Sequence, residues 1–148
     1  MGLHKTLLTG FGAGFAGTVA LTLAERAEMR VTGRAASTIP GQVAAKLSGG
    51  DPSPTGATVA RLNPLMHWAH GIALGPVRGL LSRAGLSPLA ASVAFVPMVW
   101  GGDAAVYRGL GLAAWPWQWK RSELATDIFG KTVLASATSL SYIALERR

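Results

Sequence analysis

Residues 7–24 read Leu-Leu-Thr-Gly-Phe-Gly-Ala-Gly-Phe-Ala-Gly-Thr-Val-Ala-Leu-Thr-Leu-Ala, and charge returns only at Glu25 and Arg26. An uncharged run of this length matches the roughly 17–25 residues that a helix needs to cross the hydrocarbon core of a bilayer. Its glycines recur at helical spacing. Gly10 and Gly14 form G-x-x-x-G, and Gly17 and Leu21 continue the same face. Glycine weakens a helix in water but lets helix backbones approach closely in a membrane. Gly12, Gly14 and Gly17 also spell G-x-G-x-x-G, a dinucleotide fingerprint only when a strand precedes it inside a βαβ unit. Neither feature is present, so Gly10, Gly14 and Gly17 are read as helix-packing residues.

Three more apolar segments follow, at about 62–81, 88–107 and 124–145. Lys5 ahead of the first run resembles a signal peptide, but the later runs favour a retained span. Met1-Gly2 with Thr6 matches a myristoylation pattern, read as chance in a chain that enters an apolar run at once. Pro88 suits a helix start, and Pro97 predicts a kink in the third span. The connection 25–61 is long and polar, with a short interfacial helix expected from Pro40 to Leu47 and turns over 49–54. Arg83 to Ser87 is a tight link. Trp115, Trp117 and Trp119 stand beside Lys120 and Arg121, a grouping that favours the headgroup level.

Composition agrees with a membrane domain. The chain has 148 residues, enough for one domain, and only 14% are charged, against about 25% in soluble domains. Cysteine is absent, which excludes disulfides and thiolate metal sites. The net charge of +7 comes from cations that bracket the apolar runs rather than forming one basic tract, so nucleic acid is not an expected partner. Arginine outnumbers lysine 10 to 4, a bias that suits a GC-rich bacterial genome. The long connections carry more cations than the termini and the tight link, which leans toward cytoplasmic long connections.

The polar residues lie on particular helix faces. At 100° per residue, Asn63, His67, His70, Leu74 and Arg78 fall within about 80° of one another. Asp103 and Tyr107 share a face with Ser92, Val96 and Val99, and Asp127 and Lys131 share one with Leu134, Thr138 and Ser141. The glycine face of the first span continues into Glu25 and Glu28. Alternating spans would gather Glu25, Glu28, Asn63, His67, Asp103, Asp127 and Lys131, with His70 one turn deeper, in one half of the membrane, facing inward. Arg78 lies toward the other side and is expected to snorkel to the headgroups. Asp127 and Lys131, at i and i+4 with the acid first, are placed to pair. His67 and His70 have a spacing that can ligate a metal, but two histidines are an incomplete site.

These residues resemble those of the YagU-like family of small bacterial inner-membrane proteins. The likeness rests on the Gly-rich first span ending in Glu25, on Gly33-Arg34-Ala35-Ala36-Ser37 with Pro40 after it, and on His67-Trp68-Ala69-His70-Gly71 leading to Gly75. It covers about the first half of the chain. It implies a topology and an inner-membrane location, and it transfers no catalytic residue.

The expectation is an all-α, integral membrane bundle of four transmembrane helices in a single domain, multi-pass in the bacterial inner membrane. Its polar core would handle protons or ions in a minor transport or stress-related role, with no cofactor and the lipid bilayer as surroundings. One alternative is a non-catalytic accessory subunit of a larger membrane complex, or a homo-oligomer, packing through its glycine faces. A second is a metal-dependent membrane enzyme, its metal held by His67, His70 and a carboxylate such as Glu25 or Asp103. No catalytic residue is assigned, and a non-enzymatic role is favoured.

Overall fold

A computed structural model describes residues 2–147. Met1, which opens the lipidation-like pattern, and Arg148, the last flanking cation, lie outside the described residues. The described chain is all-helical: α1 (Leu3–Thr32), α2 (Ile39–Leu47), α3 (Ala57–Arg83), α4 (Pro88–Gly109), a 3-10 turn (Pro116–Gln118) and α5 (Arg121–Glu146).

The helix ends follow local chemistry. α1 runs past the apolar stretch to Thr32 and stops at Gly33, whose φ of 71° and N–H bond to the Met29 carbonyl make a left-handed cap. That turn returns Arg34 onto Glu28, with Nη2 2.7 Å and Nε 3.1 Å from Oε2. Glu28 lies beyond the apolar 7–24 run, and the hydrogen-bonded Arg34 guanidinium holds its carboxyl below the usual glutamate range. α3 begins at Ala57, earlier than the apolar run suggests. In α4, Ser87 accepts the Ala90 N–H and Pro88 occupies the first turn, and the helix continues through Pro97. α5 begins at Arg121 because Glu123 reaches back to the Lys120 N–H at 3.3 Å.

α1 is the central helix and packs chiefly on α3 and α5, while α4 docks more thinly on α5 and α3. The α1–α3 seam is a glycine contact on both sides. A Cβ at Gly10 would stand 2.6 Å from Pro76 Cα, and one at Gly75 would overlap the Gly10 carbonyl oxygen. Pro76 has no N–H to offer the Ile72 carbonyl one turn back. That freed oxygen lies against Gly14 instead, where Cα–H groups are weak donors. Gly17 faces the other way, onto Thr138 of α5. Gly10, Gly14 and Gly17 are therefore all used in packing inside the fold.

Leu21, Phe95, Val99, Leu134 and Ala135 form the apolar core where the long helices meet. Many large apolar side chains point outward, among them Leu8, Phe15, Leu23, Leu89, Val93 and Leu140. An apolar exterior around a small, partly polar interior is the pattern expected in lipid. Three helices, α1, α4 and α5, are long and apolar enough to cross a membrane. α3 falls outside that group because Asn63, His67, His70 and Arg78 interrupt its apolar residues. Length and composition thus single out three of the four expected spans.

α2 packs along the start of α3. Gly41 abuts the Val59 carbonyl, and Asn63 clamps the junction by accepting the Gly41 N–H at 2.7 Å and donating to the Ser37 carbonyl at 2.9 Å. Asn63 therefore anchors α2 instead of joining the polar interior. In the connection to α5, Trp115 and Trp117 stack with centroids 5.1 Å apart, and Trp119 donates to the Ala114 carbonyl.

Candidate functional site

The C-terminal halves of α1 and α4 meet the N-terminal halves of α3 and α5, and ionisable side chains converge there. Asp103 is the centre. Its side chain is 8% exposed, Oδ1 lies 2.8 Å from His70 Nε2, and Oδ2 lies 3.1 Å from Lys131 Nζ. The His70 contact is close, but Nε2 forms no aligned hydrogen bond, so the pair is held by proximity rather than by a directed N–H. Lys131 also pairs with Asp127 one turn back, at 3.2 Å. Tyr107 completes the group. Its hydroxyl is 3.5 Å from Asp103 Oδ2 and 3.4 Å from Lys131 Nζ, long contacts that orient more than they bind. The Lys131 ammonium stands 5.5 Å from the Tyr107 ring centroid, within cation–π range.

The two histidines have separate partners. His67 Nε2 lies 3.0 Å from Thr22 Oγ1 on α1. The Thr22 hydroxyl spends its proton on the Thr18 carbonyl at 2.8 Å, so the arrangement calls for His67 to donate from Nε2. A spacing of three residues sets the two rings about 60° apart around the helix, and each meets a different neighbour, His67 on α1 and His70 on α4. Each ring is engaged elsewhere, and among the described residues no group of three or more His, Asp or Glu is placed to hold a metal. Glu25 lines the same space, half-buried, with no hydrogen bond or ion pair among the described residues.

Arg78 overturns its expected role. It is fully buried, not snorkelling. Nε donates to Ser139 at 3.1 Å, Nη1 to Ser82 at 2.7 Å, and Nη2 to the Pro88 carbonyl at 3.1 Å and Ser92 at 3.2 Å. The guanidinium also lies 5.2 Å from the centroid of the Tyr142 ring. One side chain thus ties α3 to α4 and α5 through neutral acceptors. Sequence reasoning put Tyr107 on the Asp103 face without a role, and it missed Thr22 and the packing of the glycines of α3. For the last a signal existed, since Gly71, Gly75 and Gly79 repeat every four residues.

Chemically the network is an imidazole, a carboxylate, an ammonium and a second carboxylate in sequence across three helices. With His70 neutral, two aspartates face one ammonium. A proton on His70 balances the set. No family model matches the chain, and no curated protein or solved structure matches it.

Proposed function

We propose that the chain is a four-span membrane protein of the bacterial inner membrane, related to the YagU-like family, whose His70–Asp103–Lys131–Asp127 network takes up and releases protons. It would act as a minor transport or stress-related component. The observation that carries this reading is the shared Asp103, held between His70 and Lys131 with little solvent around it. Intramembrane ionisable groups are costly and usually serve a purpose there. Imidazole is the side chain that ordinarily changes charge between pH 5 and 8, so it is the natural entry point for a proton in such a set. Exchange at His70 switches the network between a balanced and an anionic state without moving a helix. For α3 as the fourth span, support comes from its 27 residues and from its close packing between Thr6 and Thr22 on α1, a helix apolar enough to cross.

The test is proton flux into pH-dye-loaded liposomes under an imposed gradient. Wild-type protein should carry flux above empty liposomes, and Asp103→Asn should abolish it while the helical content stays. No wild-type flux, or full flux in Asp103→Asn, would reject the proposal.

A further inference from the structure

A cavity of about 880 Å³ opens beside the network. α2 and the tryptophan turn contribute to its wall, and the long helices supply the rest. Pockets for small organic molecules run to roughly 300–1,000 Å³, so this one has room for a single amphipathic ligand. Most of its wall is apolar, from residues such as Leu21, Val43, Met66, Val106 and Leu134.

Its polar end has an excess of negative charge. Three half-buried or buried carboxylates, Glu25, Asp103 and Asp127, face the cavity with one interior ammonium, Lys131. Lys131 already serves both aspartates. Arg34 also lines the cavity but is committed to Glu28. Lys120 and Glu123 at the rim are exposed and of opposite sign. Among the described residues Glu25 makes no hydrogen bond or ion pair of its own, and the titratable group that faces it is the His67 imidazole on the same wall, so a half-buried carboxylate is left without a fixed cation. Tyr107 and Trp119 add aromatic surface to the wall, which suits a cation.

We propose that this cavity binds a lipophilic organic monocation, with its positive head at Glu25 and its apolar body against the Leu21, Val106 and Leu134 wall. Charge decides the class. A lipophilic anion would meet three carboxylates, and a neutral ligand would leave Glu25 unpaired. The inference does not rest on proton exchange at His70, because binding is an equilibrium property that needs no gradient.

The experiment measures tetraphenylphosphonium binding to the full chain in phosphatidylcholine nanodiscs, with tetraphenylborate as the probe of the same shape and opposite charge. Saturable one-to-one binding of the phosphonium alone is expected. Glu25→Gln should weaken it at least tenfold without loss of thermal stability, since Glu25 makes no bond that folding needs. Gly130→Met should block it. A Cβ at Gly130 would stand 3.4 Å from Leu21 Cδ1 and 3.9 Å from Glu25 Oε1, so the longer side chain fits the backbone but fills this end of the cavity. Absent wild-type binding, equal binding of the borate, or wild-type affinity in both variants would overturn the proposal. Phosphonium binding without proton flux would reject the proton reading alone, and flux without binding would reject this one alone.

Discussion

Arg78 offers the sharpest stability prediction, because a fully buried guanidinium bonded only to neutral acceptors has to justify its desolvation. Its four hydrogen bonds reach Ser139, Ser82, Ser92 and the Pro88 carbonyl. Interhelical side-chain bonds in membranes average about 0.6 kcal/mol, so the three that leave α3 contribute about 2 kcal/mol, with the Ser82 bond internal to α3. The Tyr142 contact adds about 1 kcal/mol. Arg78→Leu should therefore destabilise the fold by about 3 kcal/mol, less whatever is recovered by removing the charge. Arg78→Lys keeps the charge but loses the planar fork that reaches three helices at once, and should cost about 2 kcal/mol. Two of the four bonds end on α4, the most thinly packed long helix, so the loss should concentrate there. Reversible unfolding in mixed micelles measures the total, and hydrogen exchange locates it. Arg78→Leu within about 0.5 kcal/mol of wild type would show that desolvation cancels the bonds, and exchange unchanged in α4 would refute the bridging role.

Three further outcomes are expected. The chain has no cysteine, so single cysteines report topology cleanly: Asp51→Cys and Trp117→Cys should label from one side of a vesicle and Ala84→Cys from the other, and labelling of Asp51→Cys and Ala84→Cys from the same side would remove α3 as a span. Gly75→Ala places a Cβ on the Gly10 carbonyl and should cost about 3 kcal/mol, at the upper end for overpacking. Gly101→Ala, which meets open space, should instead be neutral or stabilising by about 0.5–1 kcal/mol, and equal effects in the same unfolding assay would contradict the seam. At the end of α1, the Glu28 carboxyl is depressed by Arg34, so its contribution is present above the ordinary glutamate value and lost as pH falls through the lowered one. Amide exchange at Gly33 and Arg34 should rise over that acidic window, and Glu28→Gln should erase the dependence. An unchanged profile in the variant would discount the pair.

How much of this was legible beforehand depends on the range of the interactions. The first span and the short helix over α2 follow from local pattern, charge-free length in one case and Pro40 with an apolar run in the other. The Asp127–Lys131 contact is also local, one turn apart. What reached beyond one helix was read less well. Arg78 looked like a cation awaiting a headgroup, because its acceptors lie 4, 10, 14 and 61 residues away on three helices and share no spacing rule. His67 and His70 looked like one unit from their spacing, but which helix each ring meets is set by the α1–α3 glycine seam, and Thr22 gave no sign of its role. Asn63 lay on the polar face by angle, yet it sits above the interior, where α2 crosses α3.

That separation of the two histidines provides the most direct test of the central claim. If protons enter at the imidazole beside Asp103, His70→Ala should remove gradient-driven flux in liposomes, and His67→Ala, which leaves the His70–Asp103 contact in place, should retain most of it. Equal losses in the two variants, or flux that survives His70→Ala and fails in His67→Ala, would contradict a proton path through the His70–Asp103–Lys131 network.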